Sequence, residues 1–184
     1  IKSCIMIGHS MGGYVTLSYA ERFPKKLKGI CLFHSHPYED SEQKKLDRAL
    51  AAKIVARNPL VLISEMIPNL FADKDSSKFP KEFNKLKKTA ENMSKEGIIK
   101  SIDGMIERKD KQHVITNSTV PVHIILGKKD NAMNYDLIKE QLHLSPKITS
   151  LILENVGHLG FIEAKEVCYH SLDKFFYFCI SNKN

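Results

Sequence analysis

Four short apolar runs along the chain predict buried β-strands. They occupy residues 1–7 (IKSCIMI), 29–34 (GICLFH), 120–126 (VPVHIIL) and 148–153. Pro121 indicates that hydrogen-bond pairing of the third run starts late on one side, because proline has no N–H. Segments with helical spacing separate the runs, so strand and helix alternate along the chain. This alternation predicts an α/β fold in which a mostly parallel sheet is flanked by helices.

Apolar side chains spaced three or four residues apart predict the helices that cover the sheet. Residues 14–23 follow the first run with this spacing, and Pro24 with a lysine-rich turn ends the segment. The last part of the chain predicts a terminal amphipathic helix that packs on the sheet. Its apolar positions are Cys168, Leu172, Phe175, Phe176 and Cys179.

A long segment between the second and third runs, residues 38–119, shows only helical periodicity. Its apolar positions form four groups, which predict four short helices at residues 46–55, 60–70, 79–93 and 98–106. Because all four lie within one crossover between strands, we interpret them as a cap and not as an independent domain. One domain is therefore expected. Its core sheet comes from residues 1–37 and 120–184, and its helical cap insertion from residues 38–119.

Composition and charge narrow the class of protein. The apolar fraction of 42% and the charged fraction of 27% are typical of a soluble globular domain. No apolar run approaches the roughly 20 residues that a membrane-spanning helix needs. The net charge is +7, but the lysines are spread over helical segments and accompany no RNA-binding signature. We therefore expect neither a nucleic-acid partner nor a membrane partner.

The four cysteines lie inside apolar runs, without the spacing of a metal site or a disulfide framework. This pattern predicts small core residues of a cytoplasmic protein. The first residue is Ile1 and not methionine, which predicts that the chain is part of a longer product.

The sequence GHSMGG at residues 8–13 carries the strongest chemical signal. A nucleophile on a sharp turn from strand to helix has a strained backbone, and its neighbours two positions away must be small. Gly8 and Gly12 meet that requirement. The turn is expected to place the Ser10 hydroxyl at a helix N-terminus, where free N–H groups stabilise negative charge. Ser10 is therefore a candidate nucleophile, and the N–H of Met11 is a candidate oxyanion donor.

A serine hydroxyl becomes nucleophilic when a base removes its proton and a carboxylate orients that base. After a nucleophile turn of this kind, the acid and then the histidine follow on loops after later strands. The third run ends in GKKD at residues 127–130, and GHLG at residues 157–160 follows the fourth. Asp130 and His158 are therefore the candidate acid and base, with Asp136 as the rival acid.

Three further histidines lie near the expected site. His34 and His36 alternate as metal ligands often do, but no third ligand is spaced nearby, so we predict neither a metal nor a cofactor. Both follow the second run, where lining of a pocket or a plain loop is the favoured interpretation. His9 is expected to pack against the cap or the pocket wall. His9 and His36 are the candidate substrate-binding residues.

With these motifs the chain resembles the α/β-hydrolase superfamily, in particular the compact capped branch of carboxylesterases, enol-lactonases, carbon–carbon bond hydrolases and non-haem haloperoxidases. GHSMGG at 8–13, GKKD at 127–130 and GHLGFIEA at 157–164 carry the resemblance. It implies a partial α/β-hydrolase fold in which the Ser10 turn follows the fifth of eight strands. Lys165 stands where many relatives have a proline, which should affect only the start of the last helix.

The resemblance also implies that the earlier strands, and the loop that supplies a second oxyanion N–H, are missing from these residues. The strand at 1–7 would then expose an apolar edge. Loss of one oxyanion donor lowers the rate by about 10²- to 10³-fold. We therefore expect the longer parent to be active and these 184 residues alone to be weakly active or inert.

The residues and the resemblance together predict a serine hydrolase that cleaves a carboxylic ester through an acyl-enzyme on Ser10. A serine at this position argues for acyl chemistry, since epoxide hydrolases and haloalkane dehalogenases of this fold use an aspartate. The expected substrate is a small-molecule ester or acyl compound. A lactonase, amidase, acyltransferase or carbon–carbon hydrolase remains possible on the same triad. A non-catalytic binding protein of hydrolase shape is the alternative from another class.

Overall fold

A computed structural model of the chain describes residues 1–73 and 76–181. A parallel sheet of four strands, in the order β1-β2-β3-β4, runs through these residues. The strands are β1 (Cys4–His9), β2 (Leu27–Phe33), β3 (Val122–Gly127) and β4 (Ile148–Leu153). The predicted α/β class is confirmed, and the fourth strand has the bounds that its apolar run predicted.

Helices follow each strand and fill the long crossover. The first, α1 (Met11–Arg22), follows β1, and α2 (Glu42–Arg57), α3 (Pro59–Asn69), α4 (Pro80–Glu91), α5 (Lys95–Glu107) and α6 (Gln112–Thr116) lie between β2 and β3. After β3 come α7 (Tyr135–Ile138), α8 (Gly160–Glu163) and α9 (Lys165–Ser181). Short 3₁₀ turns occupy Pro24–Lys26, Ser76–Lys78 and Lys139–His143.

The boundaries of β2 and β3 differ from the sequence predictions by one or two residues, and those of β1 and α1 differ more. β1 starts at Cys4 and continues to His9, so Gly8 lies inside the strand and does not end it. α1 starts at Met11 and not at Tyr14, because the turn at the strand end places the two glycines in the first helical turn. The short helix α6 was not predicted, since five residues carry too little periodicity to reveal one.

Alternate residues of the central strands form two separate apolar clusters, one on each face of the sheet. Ile30 and Leu32 of β2 pack in the cluster that contains Leu17 of α1. Cys31 and Phe33 of the same strand belong to the opposite cluster, which α9 covers. Burial of both faces explains why these two strands, β2 and β3, are mostly apolar.

Three of the four cysteines are core residues, as predicted. Cys31, Cys168 and Cys179 are 0%, 2% and 3% exposed, whereas Cys4 is half-buried, and all four are free thiols. Burial raises the pKa of Cys168 and Cys179 to about 11.

Asp40 joins two helices of the segment between β2 and β3. Arg48 of α2 donates to its carboxylate at 2.5 Å, and Arg108, just after α5, donates at 2.7 Å. The Arg108 guanidinium also lies 4.0 Å from the ring centre of Tyr14 on α1. Burial alone would raise the pKa of Asp40, but the hydrogen bonds from Arg108 and Arg48 lower it to about 2. We call Asp40, Arg48 and Arg108 the ionic anchor. The division into core and cap at residues 38 and 119 stays a prediction.

β1 is an edge strand in the described part of the chain, and Ile7 on it is 52% exposed. Within the same residues, no helix has both the length and the apolar content to cross a bilayer.

Candidate active site

Ser10 occupies the turn between β1 and α1 with a strained backbone. Its φ of 52° and ψ of −121° lie in a region that non-glycine residues rarely adopt, at a typical cost of about 1–3 kcal/mol. Three hydrogen bonds hold this conformation. Ser10 N–H donates to the carbonyl of Phe33 at 2.9 Å, and the carbonyl of Ser10 accepts from Gly13 N–H at 2.9 Å and from Ser35 Oγ at 2.8 Å.

Two glycines of the GHSMGG motif are required by close packing. A Cβ on Gly8 would collide with the backbone of Gly12, and a Cβ on Gly13 would collide with the side chain of Ser35. A Cβ on Gly12 would meet no atom within 4 Å. The expectation that Gly12 must be small is therefore wrong for these residues, and Gly13 is the second tight position.

Met11 is the first residue of α1, so its N–H has no acceptor within the helix. That N–H follows Ser10 directly, at the positive end of the helix dipole.

Asp130 and His158 follow β3 and β4, and they meet in a buried hydrogen bond. His158 Nδ1 lies 2.8 Å from Asp130 Oδ2, and the two residues are 3% and 8% exposed. The other oxygen, Oδ1, accepts from the N–H groups of Ala132 at 2.8 Å and Met133 at 3.0 Å. The rival acid, Asp136, instead pairs with Lys139 at the surface.

The charge of Asp130 is held by its neighbours. Burial alone would raise the pKa of this carboxyl, but the hydrogen bond from His158 and the adjacent His34 ring hold it below its usual range. The carboxylate is therefore ionised at neutral pH and accepts a hydrogen bond from the Nδ1–H of His158. His158 Nε2 is the ring nitrogen that does not face Asp130, and none of the described residues makes a hydrogen bond with it.

His9 connects the nucleophile turn to the His158 loop. Its Nε2 donates to the carbonyl of His158 at 2.8 Å, and the two ring centres lie 4.9 Å apart. Burial lowers the pKa of His9 to about 4, so the ring is neutral at pH 7. In the described part of the chain, no hydrogen bond joins Ser10 Oγ to His158, although His9 brings the segment before Ser10 into contact with that loop.

The structure places the other predicted histidines in different surroundings. His36 is half-buried, lies 3.3 Å from the Tyr14 hydroxyl and stacks on Tyr38. Burial and the charge of Arg108 lower the pKa of His36 to about 4. Its role, like that of His9, as a substrate-binding residue stays a prediction.

His34 lies in the loop after β2 and is fully buried, so of the two interpretations the lining of an open pocket is wrong. Its Nδ1 lies 3.4 Å from Asp130 Oδ2, in an alignment that makes no hydrogen bond. Its Nε2 accepts from Gly160 N–H at 3.3 Å. Sequence reasoning missed this position, because only the folded sheet brings the end of β2 beside the loops after β3 and β4.

His34, Asp130 and His158 also offer three ligand atoms within 4.8 Å of one another. These atoms face each other directly, since Asp130 Oδ2 lies 2.8 Å from one imidazole and 3.4 Å from the other. Zinc would hold ligands about 2 Å from a common centre. Asp130 and His158 therefore satisfy each other, and the absence of a metal stays a prediction.

The end of α3 contacts the loop after β4, which contains His158 and which we call the histidine loop. His158 N–H donates to the carbonyl of Leu70 at 2.8 Å. The Glu163 carboxylate accepts from Ala72 N–H at 2.9 Å and from Gly157 N–H at 3.0 Å. A Cβ on Gly157 would lie 2.6 Å from the nitrogen of Ala72, so the close approach requires glycine.

A further hydrogen bond joins the end of α3 to the loop after β3, which contains Asp130 and which we call the acid loop. In this bond Asn131 Nδ2 donates to the carbonyl of Phe71 at 3.1 Å. We call this set of contacts between residues 70–72 and the loops after β3 and β4 the backbone clasp. Sequence reasoning missed Glu163 and Asn131. The position of Glu163 in the GHLGFIEA motif is the signal that could have indicated it.

Two known lipases are similar to the chain in sequence. Lipase 1 of Psychrobacter immobilis is 22% identical over 162 residues, which is 85% of this chain and 50% of that protein. Lipase 3 of Moraxella sp. (strain TA144) is 23% identical over 165 residues, again 85% of this chain and 50% of the relative. The chain thus spans about half the length of these relatives.

Solved structures share the fold. A thermophilic esterase from Thermogutta terrifontis superposes with a TM-score of 0.88 at 22% identity, over 97% of this chain and 66% of its own. The enol-lactonase from Burkholderia xenovorans LB400 superposes with a TM-score of 0.85 at 19% identity, over 96% of this chain and 66% of its own. The family model described as alpha/beta hydrolase fold matches residues 1–165, which is most of the chain. The chain therefore belongs to the α/β-hydrolase fold family.

Proposed function

We propose that the protein is a serine hydrolase that cleaves a carboxylic ester through an acyl-enzyme on Ser10. One observation carries the proposal. A strained serine at the head of α1 is linked through His9 to a histidine that is already hydrogen-bonded to an ionised Asp130. A nucleophile, a base and an orienting acid are the three parts that acyl transfer of this type needs.

In the first half-reaction, Ser10 Oγ attacks the ester carbonyl while His158 Nε2 removes its proton. Asp130 holds the imidazole in the Nδ1–H tautomer and stabilises the imidazolium that forms. The N–H of Met11 stabilises the oxyanion of the tetrahedral intermediate. The intermediate collapses, the alcohol leaves with the proton from His158, and the acyl group stays on Ser10.

In the second half-reaction, His158 removes a proton from water, and the resulting nucleophile attacks the acyl-enzyme. The carboxylic acid leaves as Ser10 regains its proton. The bond between Ser10 Oγ and His158 Nε2 must form for this cycle. Such bonds are often long without substrate and shorten when it binds.

The choice of an ester rests on two supports. A serine nucleophile in a strained turn is suited to acyl transfer, and the sequence relatives are named lipases while a structural relative is an esterase. The enol-lactonase shares the same fold at similar identity, so a cyclic ester belongs among the compounds to be tested.

A fluorophosphonate probe tests the proposal directly in the longest natural protein that contains this chain. The wild type should be labelled at Ser10, and Ser10→Ala should lose both labelling and about 10⁴-fold or more of kcat on a p-nitrophenyl ester. Ser64→Ala, an exposed position on α3, is the matched control and should keep both.

A panel of esters, lactones and anilides then separates the acyl chemistries. We expect esters to give the highest kcat/KM. Labelling of Ser10 with turnover of anilides alone would replace the esterase proposal by an amidase. A wild-type protein that is neither labelled nor active would favour a binding protein that kept the hydrolase shape.

A further inference from the structure

His34 is an unusual residue to find beside Asp130 and His158. It follows β2 directly, has a φ of 46° and is 0% exposed. Its backbone is fixed there, because its N–H donates to the carbonyl of Ile125 at 2.8 Å. A non-glycine residue in the left-handed region persists only where its surroundings enforce it. The His34 imidazole is thus buried beside Asp130 and His158 at the cost of a strained backbone at His34.

Two glycines leave the space for that ring. A Cβ on Gly127, at the end of β3, would lie 3.0 Å from His34 Cε1. A Cβ on Gly160, in the histidine loop, would lie 2.6 Å from His34 Nε2. The ring therefore sits between the acid loop and the histidine loop and contacts both.

The tautomer of His34 follows from its partners. Gly160 N–H can only donate, so His34 Nε2 accepts and the ring proton lies on Nδ1. That Nδ1 has no hydrogen-bond partner and lies 3.4 Å from Asp130 Oδ2, the same oxygen that accepts from His158. Burial lowers the pKa of His34 and keeps the ring neutral. A buried N–H thus lies 3.4 Å from a carboxylate oxygen and needs a change in alignment to donate to it.

We propose that His34 is a positioning residue whose Nδ1–H donates to Asp130 Oδ2 in the working enzyme and orients the carboxylate for His158. This inference rests on the function proposed above. Asp130 then accepts two backbone N–H groups on Oδ1 and two imidazole N–H groups on Oδ2, so both oxygens have fixed directions. His34 itself is buried away from solvent and touches the reaction only through Asp130.

Two substitutions at His34 distinguish the roles of its two ring nitrogens, and a third removes both nitrogens. The amide nitrogen of His34→Asn occupies nearly the place of Nδ1, and asparagine also tolerates a positive φ. The amide oxygen of His34→Gln occupies nearly the place of Nε2 and can accept from Gly160, but it offers no donor to Asp130. His34→Gly accepts the backbone conformation without strain and removes both nitrogens.

We expect His34→Gln and His34→Gly to lower kcat about tenfold with KM changed less than about twofold, since one hydrogen bond to a charged group is lost. His34→Asn should stay within about threefold of the wild type. Urea unfolding of each variant shows whether it is folded. His34→Gly carries the comparison if His34→Gln does not fold.

The Nδ1–H resonance of His158 gives a readout that needs no turnover. Its position and its exchange with water report the hydrogen bond to Asp130. The signal should broaden in His34→Gln and His34→Gly and persist in His34→Asn. Wild-type signal and wild-type kcat in both donor-free variants would overturn the proposal, as would a His34→Asn variant as impaired as His34→Gly.

The two proposals fail in different ways. If fluorophosphonate does not label the wild-type protein, the proposed serine hydrolase function is wrong, whatever the histidine resonance shows. If the protein is labelled and active but the His158 resonance does not change in the His34 variants, only the positioning role of His34 is wrong.

Discussion

The segment between β2 and β3 contains two sets of contacts with unlike chemistry. The ionic anchor joins α2 and α5 through two arginines and one buried carboxylate. The backbone clasp joins main-chain groups at the end of α3 to the loops after β3 and β4, through the N–H of His158 and the side chains of Glu163 and Asn131. The anchor contains charges that must stay paired, whereas the clasp contains the N–H of His158 itself.

This difference separates stability from catalysis. Removing one member of a buried ion pair leaves the others desolvated without a partner, which costs folding free energy wherever the pair lies. Removing a clasp contact releases the backbone of the proposed base, where small displacements slow a reaction strongly. We therefore expect the anchor to govern unfolding and the clasp to govern kcat.

The largest effect is expected at the anchor. Asp40→Ala leaves Arg48 and Arg108 without their carboxylate and should lower the free energy of unfolding by about 3–5 kcal/mol. The kcat of the folded fraction should stay within about twofold of the wild type. Urea unfolding and ester turnover at low temperature measure the two quantities.

Asp47→Ala, an exposed position on the same helix, is the control and should change stability by less than about 0.5 kcal/mol. A folded Asp40→Ala protein with strongly reduced kcat would contradict the division of roles.

An intermediate effect is expected at the clasp. The carboxylate of Glu163 accepts from two backbone N–H groups, and Glu163→Gln can accept only one of them while its amide N–H₂ faces the other. The loss should be about 1–3 kcal/mol in stability and about tenfold in kcat, because Gly157 next to His158 is released. Hydrogen exchange at residues 157–158 and steady-state kinetics test both.

Glu166→Gln, exposed on α9, provides the matched control. If Glu163→Gln lost the expected stability but kept the kcat of the wild type, the clasp would be only a structural contact.

The smallest effect concerns the pH dependence near the anchor. Burial and the positive charges of Arg108 and Arg48 lower the pKa of His36 to about 4 from an ordinary value of 6.5, while the Asp40 carboxylate acts in the opposite direction. Between these values the unfolded chain binds a proton that the folded protein does not, so stability falls as the pH is lowered from 6.5 to 4.

His36→Gln should make this fall shallower by about one proton. Urea midpoints at several pH values across that window measure it. An unchanged slope would remove His36 from the acid sensitivity of the anchor region.

The sequence predicted the sheet well because the two central strands, β2 and β3, are buried on both faces and are mostly apolar. The edge strands β1 and β4 are more exposed but still rich in apolar residues. It predicted the start of α1 poorly. Gly12 and Gly13 are weak helix formers, and only the packing of Gly13 on Ser35 explains their place in the first turn.

At the site, the sequence motifs identified Ser10, Asp130 and His158, whose triad role the experiments above must test. His34 could not have been recognised, since its importance depends on loops more than 90 residues away meeting the end of β2 (Gly127 and Gly160). Glu163 and Asn131 were missed for the same reason, because their partners lie at the end of α3.

The three buried cysteine thiols should react with an alkylating reagent only when the protein unfolds, so they report on unfolding. Cys31, Cys168 and Cys179 are almost inaccessible, and with a pKa of about 11 the thiols of Cys168 and Cys179 are almost entirely un-ionised at neutral pH. A brief pulse of iodoacetamide should therefore modify a closed molecule at Cys4 at most. An opened molecule should take up four groups, so intact-mass spectrometry would count the two populations in a single sample.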